Sequence, residues 1–353
     1  MKPAQLKTTA RRFVATGISV ASLALGSHAF GEDCKPLAQY DAIDMTMTSS
    51  GHIAVPVSFG AVSKMMIVDT GGVFTEMTDQ MATDLGLTRR HSGLGVVDAA
   101  GKMSDMVVHA PAFSVGGMSA NGVDFIVMQN TGAFSSKDSD VVGIIGPNVL
   151  HAYDVDFDFA AKKIHFLSQD HCAGKVVYWP ADTVAVIPFQ LTLDNHIILP
   201  VTLDGHTMNA LLDTGSPETI LSLSVAEGTF GLTTNASDMK ASGVLNGVAT
   251  ATVYRRQFKT LTLEGITIGN PMIAIAPDLQ RNVVDNSSAP VNGTRLGPKL
   301  SGSTDLILGL NVMRHLHMYI AYGEQKIYVT PAAAPPATNV ASARNVAPSS
   351  TVH

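Results

Sequence analysis

The chain reads MMIVDTG at residues 65–71 and ALLDTG at residues 210–215. In both places an apolar run leads into an Asp-Thr-Gly triplet, which begins at Asp69 in the first half and at Asp213 in the second. A chain of this length would contain one such triplet by chance on the order of one time in ten. Two triplets at matching places in two similar halves can instead bring two carboxylates face to face.

The triplets belong to an internal repeat. The offset of 144 residues that places Asp69 on Asp213 also places His52 on His196 and Thr75 on Thr219. Farther along, GIIGPNVL at residues 143–150 matches LILGLNVM at residues 306–313, now with an offset of 163 residues. The second half therefore carries an insertion, which the Asn-, Ser-, Gly- and Pro-rich residues 277–303 predict to be a long surface loop.

Most of the sequence is typical of short strands. Continuous or alternating apolar runs, separated by Gly, Asn and Asp turns, predict strands at residues 53–59, 106–109, 123–128, 197–203 and 260–263. Short helices are expected after each triplet, at residues 78–85 and 223–227, and others are expected to begin near Asn148 and Asn311. The pattern predicts an all-β fold with little helix.

Composition and repeat together divide the chain into five parts. Residues 1–31 have a basic start and a short apolar stretch, which is typical of an export signal and too short to span a bilayer; an uncleaved anchor is the alternative. Residues 38–170 form the predicted N-terminal lobe, residues 171–183 a connector and residues 184–331 the C-terminal lobe. Residues 332–353, rich in Pro, Ala and Ser, are expected to be a disordered tail.

The net charge argues against nucleic-acid and membrane partners, and the pairing of the two cysteines depends on the expected export. Removal of residues 1–31 would take away four basic and no acidic residues and change the formal charge from −6 to −10. Such a surface repels nucleic acid and anionic membranes, and we expect a monomer in the periplasm or the medium. The two cysteines, Cys34 and Cys172, are expected to form a disulfide that stabilises by roughly 4–5 kcal/mol on the chain-entropy model. Two free thiols stay the alternative if the chain is not exported.

The chain resembles the aspartic peptidases. Its single-chain, two-lobe arrangement is similar to that of the pepsin family, and its motifs are similar to those of retropepsin-like bacterial members. The resemblance covers residues 38–331 and rests on the two triplets and on two apolar-apolar-Gly motifs at residues 144–146 and 307–309. It implies two acid-protease-like β-barrel lobes with the active-site cleft between them. The apolar-apolar-Gly motifs would support the triplet loops from beneath.

The resemblance implies an aspartic endopeptidase that hydrolyses peptide bonds in peptide or protein substrates. Asp69 and Asp213 would hold a water molecule, one acting as general base and the other as general acid, with no metal or other cofactor. The alternative is a catalytically inactive peptide-binding or scaffold protein with the same fold. Two buried carboxylates are costly to keep without a use, and this favours the enzyme.

Several neighbours of the two aspartates are candidate supporting residues. Gly71 and Gly215 would let each loop turn tightly and present backbone N–H groups to the carboxylates. In the family, each triplet threonine reaches across to the opposite loop, which implies reciprocal hydrogen bonds for Thr70 and Thr214.

The residue after each triplet differs between the halves, being Gly72 in one and Ser216 in the other. Ser216 offers a hydroxyl to Asp213, whereas Gly72 offers none to Asp69. Loss of a hydrogen bond to the charged form raises a carboxyl pKa. We therefore expect an activity optimum less acidic than that of pepsin, and Gly72→Ser is expected to lower it.

The family also implies a hairpin that closes over the substrate. It would fall after the first-lobe helix, with Asp98, Ala99, Ala100 and Gly101 as candidate residues. A tyrosine that pepsin carries on this hairpin has no counterpart here. A second hairpin is expected near residues 245–248, where Asn-Gly gives a turn signal.

Other polar clusters have more ordinary interpretations. Twelve histidines are present, but no pattern of paired histidines or cysteines typical of a metal site appears. Asp154, Asp156 and Asp158 alternate along a predicted strand and so share one face. A calcium site is the alternative there, and a solvated strand face is the favoured interpretation.

Overall fold

A computed structural model describes residues 34–97, 103–128, 136–244, 252–277 and 304–332. The predicted export signal, the insertion after residue 277 and the tail after residue 332 lie outside these residues. Among the helices described, none has the length and apolar character needed to cross a membrane.

The first half of the described chain is built of short strands with two short α-helices and one 3₁₀ turn. Its elements are β1 Gln39–Asp44, β2 Thr46–Met47, β3 Ile53–Phe59, β4 Val62–Val68, β5 Glu76–Thr78, α1 Asp79–Asp84, β6 Arg89–Val97, β7 Met103–Ala110, β8 Phe113–Val115, β9 Met118–Ala120, β10 Val123–Met128, the 3₁₀ turn Ser136–Asp138, β11 Val141–Ile145, α2 Pro147–Leu150, β12 Asp154–Asp158 and β13 Lys163–Leu167.

The second half repeats this order. Its elements are β14 Ala185–Pro188, β15 Gln190–Leu191, β16 Ile197–Leu203, β17 His206–Leu212, β18 Ile220–Ser222, α3 Leu223–Phe230, β19 Lys240–Val244, β20 Thr252–Gln257, β21 Thr260–Leu263, β22 Ile266–Gly269, β23 Met272–Ala276, β24 Leu306–Leu308, α4 Leu310–Met313, β25 Leu316–Ala321 and β26 Lys326–Pro331.

Two sheets with the same topology form the two lobes. Within the described residues, the first-lobe sheet has the strand order β6-β7-β10-β5-β11-β4-β3-β8-β9, and β2 pairs with β3. The second-lobe sheet has the order β19-β20-β23-β18-β24-β17-β16-β21-β22, and β15 pairs with β16. Each strand of one sheet has its counterpart at the same place in the other. The predicted all-β fold with two similar lobes is confirmed.

Strand alternation explains how each sheet buries one face. In β16, Ile197, Leu199, Val201 and Leu203 are buried, while Pro200 between them is exposed. Side chains alternate between the two faces of a strand, so the four apolar residues enter the core together. Full burial of each contributes about 1.5–3 kcal/mol.

A third sheet joins the two lobes. Its strand order is β1-β13-β12-β25-β26-β14, and β12 pairs antiparallel with β25, with Asp156 opposite Tyr319. β12 and β13 come from the first half of the chain, and β25 and β26 from the second. The β12–β25 pair is therefore the seam that holds the lobes together.

The aspartates of β12 do not form a solvated face, so that interpretation is wrong. Asp154 and Asp156 are both 0% exposed. The Nε2 atom of His171 lies 2.7 Å from Asp154 Oδ2, and that of His317 lies 2.8 Å from Asp156 Oδ1. Buried charges need partners. The sequence pattern could not show that the connector after residue 170 covers this face.

The connector also carries one of the cysteines. Cys34 and Cys172 are both disulfide-bonded, and the chain has no others, so the predicted pairing is confirmed. The Cys172 backbone N–H donates to the Lys35 carbonyl at 2.9 Å.

Candidate active site

The two triplet aspartates lie at the ends of corresponding strands. Asp69 follows β4, and its backbone N–H donates to the Ile145 carbonyl at 3.0 Å. Asp213 follows β17, and its N–H donates to the Leu308 carbonyl at 3.0 Å. β11 and β24 run parallel to these strands and end in the two apolar-apolar-Gly motifs. The motifs thus support the loops that carry the aspartates.

The triplet threonines connect the two loops across the lobes. The Thr70 hydroxyl donates to the Leu212 carbonyl at 2.7 Å and accepts from the Thr214 N–H at 3.1 Å. The Thr214 hydroxyl donates to the Val68 carbonyl at 2.8 Å and accepts from the Thr70 N–H at 3.0 Å. Both threonines are buried. These four hydrogen bonds fix the spacing between the loops.

Each triplet glycine lies against the opposite carboxylate. A Cβ atom added at Gly71 would lie 2.3 Å from Asp213 Cγ, and one added at Gly215 would lie 2.3 Å from Asp69 Cγ. Such distances are far inside van der Waals contact, so neither position has room for a side chain. The glycines thus leave the space that the two carboxyl groups occupy.

The Asp69 carboxylate receives two backbone donors. Gly71 and Gly72 each donate their N–H to Asp69 Oδ1 at 2.8 Å. Hydrogen bonds of this kind favour an ionised carboxylate. Asp69 is therefore suited to accept a proton from a bound molecule.

The Asp213 carboxyl is suited to the opposite role. Burial raises its pKa well above the ordinary value, and the charge of Asp69 and a hydrogen bond to it add to the rise, against the Gly215 and Ser216 amides, which lower it. Within the described residues, the buried Asp213 Oδ1 has no hydrogen-bond partner. A protonated Asp213 is the state this environment favours.

The expected support of Asp213 by the Ser216 hydroxyl is wrong. Ser216 Oγ donates to the Glu218 carbonyl at 2.7 Å and thus closes its own turn. A hydroxyl two residues from an acceptor in the same loop readily makes such a local bond. Burial and the charge of Asp69 raise the pKa of Asp213, and the expected inequality of the two aspartates stays a prediction. The effect of Gly72→Ser on the pH profile stays a prediction.

A second pair of equivalent contacts holds each loop from below. Asn148 Oδ1 accepts from the Thr75 backbone N–H at 2.7 Å and from the Thr75 hydroxyl at 2.9 Å. Asn311 Oδ1 accepts from the N–H and the hydroxyl of Thr219, both at 2.7 Å. The sequence repeat paired these residues without revealing this contact. The shared asparagine in two otherwise apolar segments was the available signal.

One charged pair near the second loop was missed by sequence reasoning. Arg255 on β20 binds Glu218 with hydrogen bonds of 2.7–3.1 Å from both Nε and Nη2. The pair lines a cavity of about 340 Å³ together with Met272 and Arg314. In the first lobe, the residue that matches Glu218 is the apolar Phe74. The ion pair formed by Glu218 therefore has no equivalent at Phe74.

The candidate covering hairpin, Asp98, Ala99, Ala100 and Gly101, lies outside the described residues, as do residues 245–248. The described strands β6 and β7 flank the former, with Val97 opposite Met103. Nothing in the described chain groups three or more His, Cys, Asp or Glu side chains as metal ligands.

Comparison with known proteins agrees with this geometry. The family model described as aspartyl protease matches residues 55–149 and 199–312, which together make up more than half of the chain. Comparison with curated proteins gave no significant match.

Among the solved structures with a similar fold are one from Irpex lacteus and one from soybean. Aspartic proteinase from Irpex lacteus is 12% identical with a TM-score of 0.48, over 84% of this chain and 99% of that chain. Basic 7S globulin from soybean is 8% identical with a TM-score of 0.45, over 84% of this chain and 96% of that chain. On the two-region match to the family model, this chain belongs to the aspartyl protease family.

Proposed function

We propose that the protein is an aspartic endopeptidase that cleaves peptide bonds with a water molecule bound between Asp69 and Asp213. The observation that carries the proposal is the pair of carboxyl groups that the two triplet loops bring together. Asp69 accepts two backbone N–H groups, and burial and the charge of Asp69 raise the pKa of Asp213 against the amides of its own loop.

Each carboxyl group has one role in the proposed reaction. Ionised Asp69 takes a proton from the water as its oxygen attacks the substrate carbonyl carbon, and protonated Asp213 hydrogen-bonds the developing oxyanion. Asp69 then returns the proton to the leaving nitrogen as the C–N bond breaks. The enzyme regains its starting protonation state.

The test is hydrolysis of a mixed peptide library by the mature chain between pH 3 and pH 7. We expect internal cleavage that a statine-type inhibitor blocks and that Asp69→Asn or Asp213→Asn abolishes. Cleavage that survives either substitution would contradict the dyad mechanism. Peptide binding without cleavage would favour the inactive binding protein instead.

Export to the periplasm or the medium is part of the proposal and is supported by the sequence of residues 1–31 and by the disulfide. N-terminal sequencing of the protein from each cell fraction tests it. A mature start near residue 32 in an extracytoplasmic fraction is expected, and a cytoplasmic protein that begins at Met1 would refute it.

A further inference from the structure

We propose that His196 is a positioning residue for the dyad, an inference that rests on the proposed peptidase function. His196 belongs to the second lobe and is only 3% exposed. Its Nε2 atom donates to the backbone carbonyl of Gly72, in the first lobe, at 2.7 Å. The donor has to be the imidazole N–H, because a carbonyl oxygen only accepts.

Gly72 supplies one of the two donors to Asp69, so its placement matters for catalysis. Its N–H lies 2.8 Å from Asp69 Oδ1. Glycine has no side chain to anchor it and samples more backbone conformations than any other residue. The hydrogen bond from His196 restrains the next peptide unit and so keeps the Gly72 amide directed at the carboxylate.

The repeat explains why a side chain is needed at this place. In the second lobe, the equivalent carbonyl of Ser216 accepts from the backbone N–H of Leu310 at 2.8 Å. The residue that matches Leu310 in the first lobe is Pro147. Proline has no backbone N–H. The Gly72 carbonyl therefore cannot be satisfied as Ser216 is, and His196 supplies the donor instead.

The imidazole itself is held in place by the turn that precedes it. The His196 backbone N–H donates to Thr192 Oγ1 at 3.0 Å, and the Thr192 hydroxyl hydrogen-bonds the Asp194 carboxylate. Asp194 Oδ2 lies 3.3 Å from His196 Nδ1. No hydrogen bond joins these two atoms, so the ring is held by the backbone contact to Thr192 and by the Nε2 contact to Gly72.

The repeat partner of His196 has different surroundings. His52 has its Nδ1 atom 2.9 Å from the neutral Ser50 hydroxyl, where His196 has Asp194. Burial lowers the pKa of His52, although the charges of Asp69 and Asp138 oppose this. Because the Leu310 N–H already donates to the Ser216 carbonyl, that carbonyl does not need a hydrogen bond from His52.

The experiment compares kcat and KM of four variants on a peptide that the wild type cleaves. His196→Leu removes the donor, and kcat is expected to fall about tenfold with little change in KM. His196→Gln places an amide N–H where Nε2 lies and is expected to keep most of kcat. Pro147→Leu adds a backbone N–H, so the double variant His196→Leu/Pro147→Leu is expected to recover most of the loss.

His52→Leu is the matched control, since it removes a buried histidine at the equivalent place in the repeat. It is expected to lower kcat by less than about twofold. Melting temperatures of all variants separate a loss of folded protein from a loss per folded molecule. A purely structural role would lower the melting temperature and leave kcat per folded molecule unchanged, and that result would overturn the proposal.

A second readout does not need turnover. The ¹³C carboxyl shifts of Asp69 and Asp213, followed by NMR against pH, should move in His196→Leu and return in the double variant. If the wild type cleaves nothing, the peptidase function fails, and the NMR titration still decides the positioning role. Identical titrations of the wild type and His196→Leu, or no recovery with Pro147→Leu, would overturn it.

Discussion

Gly215 shows, at the scale of one residue, how little space separates the second triplet loop from the Asp69 carboxylate. Its Cα hydrogen occupies the place where any Cβ atom would meet the Asp69 carboxylate, with oxygens at 2.4 and 2.5 Å. The two carboxylates can approach each other because the position between them is filled by backbone alone. The same holds for Gly71 on the other side.

Gly215→Ala is therefore expected to abolish detectable peptidase activity, because the methyl group must displace Asp69 or the loop. Initial rates of peptide hydrolysis measure this effect. Gly228→Ala is the matched control, since Gly228 lies in α3 with open space around its Cβ position. Alanine there is expected to stabilise by about 0.5–1 kcal/mol and leave the rate unchanged. Full activity in Gly215→Ala would show that the loops are not held as described.

The raised pKa of Asp213 has a consequence for stability. A carboxyl group with a raised folded-state pKa contributes stability below its unfolded pKa, and this is lost as the pH rises through the folded value. Asp213→Asn cannot ionise and escapes this loss. We expect its melting temperature to gain on the wild type as the pH rises from 4 to 8.

Asp182→Asn, at an exposed position, serves as the control and should track the wild type. Parallel pH curves for Asp213→Asn and the wild type would argue against a raised pKa. The measurement needs no substrate and so does not depend on the proposed activity.

At the scale of elements, the cross-lobe threonines join two loops that are distant in sequence. Thr70→Val keeps the shape of the side chain but leaves the Leu212 carbonyl and the Thr214 N–H without their partner. Each buried unsatisfied group costs about 1–3 kcal/mol. Chemical denaturation should show this loss, and kcat should fall as the spacing of the loops relaxes.

The control for this prediction is Thr202→Val on β16. Its hydroxyl lies 3.2 Å from the Thr207 hydroxyl at the surface. Water can replace that partner, so the free energy of unfolding should change by less than about 0.5 kcal/mol. Equal losses of unfolding free energy in Thr70→Val and Thr202→Val would show that the cross-lobe hydrogen bonds stabilise the protein no more than a surface hydrogen bond does.

Local patterns predicted the elements well, because their signals are local. The alternation in residues 53–59 and 197–203 gave the bounds of β3 and β16, and α1 and α3 lie where helices were expected after the triplets. The partner of a polar side chain is not a local property. The Ser216 hydroxyl, and the histidine partners of the β12 aspartates, were therefore misjudged or missed.

At the scale of the whole molecule, the buried Asp154–His171 pair fastens the connector to the seam between the lobes. Asp154 accepts from His171 Nε2 at 2.7 Å, from the Tyr319 hydroxyl at 3.0 Å and from the Tyr322 N–H at 2.9 Å. Burial raises the pKa of Asp154, but all three of these contacts are donors. These three contacts suit an ionised carboxylate, and His171 is the neighbouring group able to carry the opposite charge.

His171→Leu is expected to destabilise by about 3–5 kcal/mol, because it leaves a buried carboxylate without its counter-ion. Burial lowers the pKa of His171, but its hydrogen bonds to Asp154 and the Cys172 carbonyl and the nearby carboxylates raise it above the ordinary value. The stabilisation is thus complete below about pH 6.5 and is lost as the pH rises through the raised value. The deficit of the variant should shrink over that range.

His91→Leu is the control, since His91 pairs with Asp105 at 2.7 Å but its side chain is 72% exposed. An exposed pair contributes about 0–1 kcal/mol. The test is to measure the unfolding free energies of the wild type, His171→Leu and His91→Leu at pH 5.5 and pH 8.5. A deficit for His171→Leu that stays constant with pH would mean that the pair is neutral.

The position of the β12–β25 seam in the sequence also determines when the two lobes can join during synthesis. A ribosome releases the chain from its N-terminus, and domains generally fold in that order. The first triplet loop can take shape while the second half is still being made, but β25 is among the last strands to emerge. Until then Asp69 has no opposing carboxylate. The carboxyl pair that the proposed peptidase needs is thus complete only when translation is nearly finished.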